Sequence, residues 1–276
     1  MNIHSGFFEL VSVMTFDTIL HVLLAFVVAG LWISLATLAG ERLGSRLGGL
    51  IANLTSNILV SLLFMALTRG TDYASQAAAS VPVGMAVDTL FLLALVAALR
   101  WDLAPALAAG LAVWLAAAAL AVALPPLAPP WPILLYALVC AAAFAVAERG
   151  LKVRAVPRKA VPFRPATILV RALFAGTIVA LAVVAAQLVP PYVTGIVGVF
   201  PAVLLSTMTI LTKAQGRDFA RATGKVLILS SSNIIVYGVA VAILFPLVGP
   251  WWGSLCAFAA AVGYVALLLP LTARIK

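Results

Sequence analysis

Nine apolar runs, most of them long enough to cross a membrane as a helix, divide the chain and leave little between them. They lie near 18–39, 47–68, 79–99, 103–124, 131–147, 168–189, 192–212, 226–247 and 251–273. Each is continuous, without the period-two alternation of a β-barrel strand, so helices are the predicted element. Only 9% of the residues are charged, against about 25% in soluble domains, too few to cover a water-facing surface. The longest break is about twenty residues, which leaves no room for a water-soluble domain. The predicted fold class is therefore all-α, a polytopic integral membrane protein whose first partner is the lipid bilayer.

A net charge of +9 would point to nucleic acid if the charges formed one patch. Their positions give another reason. With nine spans and the N-terminus outside, sixteen of the seventeen Lys and Arg lie inside and only Arg69 lies outside. Removing the short fifth run, Trp131–Ala147, would set Arg42, Arg46 and Arg100 opposite the other thirteen. The charge is thus topological, and no nucleic-acid partner is predicted. Residues 149–171, with seven positive charges and three prolines, read as a cytoplasmic, headgroup-facing linker. Met1 to Asp17 carries no Lys or Arg, so the first run reads as a permanent helix rather than a signal peptide. The predicted location is a prokaryotic cell membrane, with the C-terminus cytoplasmic.

An internal repeat appears when the sequence is shifted by 146 residues. Gly30 then meets Gly176, Gly49 meets Gly195, and Gly70 and Asp72 meet Gly216 and Asp218. Matches among alanines and leucines count for little in apolar sequence, so the loop match is the discriminating one. Five spans separate the first helix of one copy from the first of the next, so the copies face opposite ways. The predicted organisation is a four-helix unit over 18–124, a linker with helix five and the basic loop over 125–167, and an inverted unit over 168–273. Inverted repeats are common in secondary transporters.

Tyr192, Gly195, Gly198, Phe200 and Pro201, followed by Gly216, Asp218 and Ala220, resemble the GlpM-like small four-helix membrane proteins. The resemblance covers 168–273 well and 18–124 weakly, because Leu54-Thr55 stands where the second copy has Phe200-Pro201. It implies one such unit duplicated and fused, and supplies no substrate. The layout is also similar to fused fluoride channels, but their Thr-Thr-Phe-Ser-type third helix is missing at 79–85.

Asp88 is the one acid well inside a predicted run, where an ionisable group costs about 2.5–3.5 kcal/mol even on lenient scales. It suits a proton- or cation-coupling carboxylate, and equally a neutral or hydrogen-bonded structural aspartate. Asn53, Asn57 and Ser61, spaced i, i+4 and i+8, share a helix face that either lines a path or bonds to neighbouring helices. Pro201 sits inside the seventh run near Thr207, and should kink or break that helix. Ser230, Ser231, Ser232 and Asn233 are consecutive, so one must point inward or the helix unwinds there. A one-residue change of register sets Asn233 opposite Asp88 across the pseudo-twofold, and Asn233 with Tyr237, at i and i+4, are the residues predicted to line a cavity from the second copy. Trp131, Trp251 and Trp252 read as interfacial anchors.

Cys140 and Cys256 lie in apolar runs with no pairing or metal spacing. No zinc-helix, serine-hydrolase or phosphate-loop motif is present, so neither an enzyme nor a cofactor is predicted. The predicted site is Asp88, Asn53, Asn57, Pro201, Thr207, Ser231, Asn233 and Tyr237, binding a small solute or ion. The predicted function is a secondary transporter, proton-coupled through Asp88. Its alternatives are a passive channel of the fused dual-topology kind and an accessory subunit of envelope or polysaccharide assembly.

Overall fold

The computed structural model describes residues 15–42, 56–154, 156–157 and 165–272, and every regular element in them is helical. In chain order these are α1 (Phe16–Arg42), α2 (Ser56–Arg69), α3 (Thr71–Ala79), α4 (Val81–Ala98), α5 (Leu103–Ala123) and α6 (Trp131–Ala145). They continue as α7 (Pro165–Leu188), α8 (Pro191–Gly198), α9 (Ala202–Gln215), α10 (Arg217–Ser230) and α11 (Asn233–Thr272). Seven stretches of the described residues are helical, long and apolar enough to cross a membrane. Their outward faces leave large apolar side chains uncovered, among them Leu23 and Leu31 on α1, Leu115 and Leu120 on α5, and Leu181 on α7. A surface of that kind suits lipid and not water.

Helix α4 is the hub. Its sequence is apolar on every side, as a helix surrounded by others must be, and nearly all of it is buried. Helices α5, α6, α8, α10 and α11 all pack on it. Helix α5 meets it along a buried stripe at four-residue spacing, Ala106, Gly110, Trp114 and Ala118, flanked by partly buried Leu103, Leu107 and Ala117. Helix α6 does the same with Pro132, Tyr136 and Cys140. Small residues around each aromatic ring let the backbones approach, so Trp114 and Tyr136 are delivered to α4.

Helices α1 and α7 form a second close pair. A Cβ on Gly30 would lie 3.7 Å from the Ala172 Cβ, and one on Gly176 would lie 2.7 Å from the Phe26 carbonyl oxygen. Residue number rises along one helix as it falls along the other, so the pair is antiparallel. The faces match in sequence register too: Ala29 and Ile33 are buried on α1, and Ala175 and Val179 on α7.

Several predicted boundaries are corrected. The third run starts at Thr71, not near 79, and is interrupted at Ser80 between α3 and α4. Pro82, in the first turn of α4, cannot donate to the Ala78 carbonyl, and the Ser80 amide takes over the freed Ala77 and Ala78 carbonyls. The eighth run starts at Arg217, not near 226. Its interruption falls at Ser231–Ser232, whose hydroxyls donate to the Leu227 and Leu229 carbonyls at 2.8 Å each. Pro201 breaks the seventh run between α8 and α9. Helix α11 runs from the eighth run through the ninth, with non-helical backbone at Gly249. A π-helical turn, Val146–Gly150, prolongs α6 past its predicted end.

The basic residues are also relocated. Arg217, Arg221 and Lys225 are not in a loop but on one face of α10. Arg217 donates to the Trp101 carbonyl and Arg221 to the Val96 carbonyl at 3.2 Å, both at the end of α4. These cations sit where the carbonyl pole of α4 favours them. Lys225 is buried, 2.6 Å from Glu148 and 2.8 Å from the Val153 carbonyl. Arg171 belongs to α7 and not to the linker.

Gly70 and Gly216 each end one helix and begin the next, with φ/ψ of 89°/163° and 97°/166°. An L side chain rarely adopts that backbone, which is why both turns carry glycine. Helices α2 and α9, which precede the two turns, end 146 residues apart, at Arg69 and Gln215.

Candidate functional site

Asp88 lies midway along α4 and is 3% exposed. Its Oδ1 accepts from the Trp114 indole nitrogen at 2.8 Å. The Trp114 ring stands edge-on to Phe200, centroids 4.8 Å apart, and Phe200 is part of the break between α8 and α9. Helix α8 is held against the α3–α4 junction by Gly195, where a Cβ would strike the Ala77 carbonyl and the Ser80 hydroxyl. The Ser80 hydroxyl donates to the Ala77 and Tyr192 carbonyls at 2.8 and 3.0 Å, and Tyr73 meets Thr194 at 2.6 Å. Short polar contacts thus position the broken helix beside α4.

Helix α4 also runs antiparallel to α10 and the first limb of α11. Trp101 meets Arg217, Val96 meets Arg221 and Gly224, and Val81 meets Gly238. This register sets Asp88 level with the interruption at Ser231–Ser232. Two breaks, one from each of the chain's seventh and eighth runs, therefore lie beside α4 near the level of Asp88. On the remaining side, Cys140 donates to the Ile228 carbonyl at 3.3 Å, and Tyr136 is within electrostatic reach of Asp88, Cys140 and Tyr264. The Tyr136 hydroxyl is buried and approaches the Cys140 thiol without completing a hydrogen bond. Ser232 and Tyr264 share a 3.0 Å hydrogen bond.

The predicted residues divide accordingly. Pro201, Ser231 and Asn233 are buried at the two breaks, with Asn233 within one turn of the level of Asp88. Tyr237 is fully buried, about 9 Å further along α4 at 1.5 Å per residue. Its hydroxyl approaches that of Ser254 without completing a hydrogen bond. Thr207 is turned to α7, where it accepts from Arg171 at 3.1 Å. Asn57 is half-buried on α2, with an Oδ1 that has no partner among the described residues. Asn53 lies outside the described residues. Trp114 and Tyr136 were not among the predicted residues, although the small residues spaced four apart around Trp114 mark its face as inward.

No protein family, curated protein or solved structure matches the chain.

Proposed function

We propose that this chain is a nine-span, inverted-repeat secondary transporter of a small solute or ion, with proton coupling through Asp88. The observation that carries the reading is a buried carboxyl group between two interrupted helices, a common way to build a transport site. Interrupted helices expose backbone acceptors and donors inside the protein, and they supply points about which a helix can rearrange.

Nine spans are counted when α11 is divided at Gly249, α8 and α9 are taken as one, and the run predicted over 47–68 is taken as a span. Three observations support two inverted copies. Helices α1 and α7, each the first of its unit, are antiparallel, and their Gly30–Ala172 and Phe26–Gly176 contacts exchange under the 146-residue shift. Gly70 and Gly216 make the same turn. Helix α4 and the α10–α11 segment, each in the third run of its unit, pack antiparallel about Asp88.

The test is an uptake panel in proteoliposomes, with and without an imposed pH gradient. Gradient-dependent uptake of at least one solute is the expected result, falling to background in Asp88→Asn, which is nearly isosteric and removes the charge. Full coupled uptake by that variant would remove the coupling role. Voltage-driven flux that needs no coupling ion would make the protein a channel.

A further inference from the structure

We propose that Trp114 is the positioning residue through which the proton on Asp88 acts on the α8–α9 break: its N–H holds the carboxyl group and its ring holds Phe200. This rests on Asp88 as the proton-coupling group and adds the side chain that passes its state to a broken helix.

An indole has one N–H and no acceptor, and Trp114 spends that donor on Asp88 at 2.8 Å. Small neighbours fix the ring on α4. A Cβ on Gly110, one turn earlier on α5, would lie 2.9 Å from the ring of Phe91, which is three residues from Asp88. The Trp114 ring also meets Phe200 edge-on, with 4.8 Å between centroids and 75° between planes, an arrangement that aromatic pairs favour. The break lies on the face of α4 that carries Asp88. Gly84 is one turn before Asp88, and a Cβ there would strike the Val199 side chain and stand 3.2 Å from the Ile196 Cα. Within the break the Phe200 amide donates to the Val197 carbonyl at 3.0 Å and the Ala202 amide to the Phe200 carbonyl at 2.7 Å, while Pro201 has no N–H. One polar contact and one aromatic contact thus join Asp88 to the break through a single side chain.

Protonation changes the polar contact and leaves the aromatic one. A carboxylate accepts from the indole in a charge-assisted bond, about twice as strong as the neutral bond to a carboxylic acid. No charged group on the packed elements stands close enough to mask that difference. Helix α4 has no second ionisable group and α5 has none. Helix α6 brings Tyr136 and Cys140, both neutral, and Tyr192 of α8 donates to the Ala121 carbonyl. Arg217, Asp218, Arg221 and Lys225 of α10, with Glu148 and Arg149 of the π-helical turn, lie toward the far end of α4, about 9 Å or more along it from Asp88. On α11, Tyr237 faces Ser254, Tyr264 bonds to Ser232 and Cys256 is exposed. On α3, Tyr73 bonds to Val189 and Thr194, and Asp72 is exposed near Gly70. With the proton on, Trp114 keeps Phe200 but loses about half of its hold on the carboxyl group, and the break it steadies opens more often. By linkage, displacing the break changes how Asp88 holds its proton.

The test pairs two measurements on the purified full-length protein in detergent over a range of pH. Acid-minus-alkaline infrared difference spectra follow the C=O band of protonated Asp88, which is absent in Asp88→Asn. Hydrogen exchange of the 197–203 amides, corrected for the intrinsic pH dependence of exchange, follows the break. We expect exchange there to rise about three- to tenfold as the band appears, the equivalent of half a charge-assisted hydrogen bond. In Trp114→Phe the band should still titrate, at a shifted frequency, while the step in exchange is lost. Trp32→Phe, which alters the edge-on pair with Phe258 instead, should keep both. A titration without an Asp88 band, a band without a step, a step that survives in Trp114→Phe, or its loss in Trp32→Phe as well would overturn the proposal. Should Trp114→Phe not elute as a folded protein, a step that survives in Phe200→Leu, where the N–H bond stays and the ring contact goes, would do so. Gradient-driven uptake lost in Asp88→Asn, with no step at the break, keeps the transporter and defeats this inference. A step that needs Trp114, without uptake of any solute, does the reverse.

Discussion

A methyl group on Gly195 would meet the Ala77 carbonyl and the Ser80 hydroxyl, both held in place by their own hydrogen bonds. Helix α8 could then not keep its distance from α3 and α4, and Phe200 would shift against Trp114. Gly195→Ala should destabilise the protein by about 1–3 kcal/mol, the usual range for overpacking. Gly263→Ala, where the new methyl meets nothing within 4 Å, should leave the melting temperature unchanged or slightly raised. Comparison of the two melting curves in detergent checks this, and equal curves would mean the α8 contact is not tight. The same scale shows how far single residues could be read from sequence. Asp88 stood out because a lone acid in an apolar run has no inexpensive place to be. Its partner did not, because a tryptophan in an apolar helix is ordinary until its neighbour is known. Thr207 looked equivalent to the other polar residues, and only packing reveals that it faces Arg171.

Helix α10 is the element whose character the sequence concealed. Its basic residues keep the local hydropathy low, so the apolar run appears to begin near 226, yet the helix starts at Arg217. The charges are absorbed by other elements: Arg217 and Arg221 cap α4, while Lys225 ties α10 to the π-helical turn after α6. Interruptions were more legible, since Pro201 and the serine run announce themselves chemically, whereas the break at Ser80 depends on where Pro82 falls in the turn. The Lys225–Glu148 pair gives an asymmetric prediction, because Lys225 is 2% exposed and the Glu148 side chain 43%. Glu148→Gln strands a buried ammonium group and should cost about 1–3 kcal/mol, below the full cost of breaking a wholly buried pair. Lys225→Met leaves a carboxylate that can turn to solvent and should cost less. The double variant should recover stability relative to Glu148→Gln alone. Thermal unfolding of the three proteins decides it, and a Lys225→Met loss larger than that of Glu148→Gln would show that the ammonium is not the stranded charge.

At the scale of the whole molecule, the 146-residue shift is readable from sequence, while the close contact between α1 and α7 is not. Helices α1 and α7 are apolar nearly all round, so no periodicity singles out the Gly30 and Gly176 face from the faces toward lipid. The closeness of that contact permits a direct test of the inverted arrangement. A Cβ on Gly30 would stand 3.7 Å from that of Ala172, within the separation a disulfide requires. The Gly30→Cys/Ala172→Cys pair, built with Cys140 and Cys256 replaced by alanine, should therefore cross-link under mild oxidation. Gly30→Cys/Ala186→Cys should not, since antiparallel packing sets those positions about 20 Å apart along the axis. Sidedness is checked separately by labelling single cysteines at Ser5 and Arg158 with an impermeant reagent. Opposite sides are expected, because five spans separate them in the inverted scheme. Labelling from one side would mean that α6 does not cross, and the second copy would then lose its inversion even if the disulfide formed.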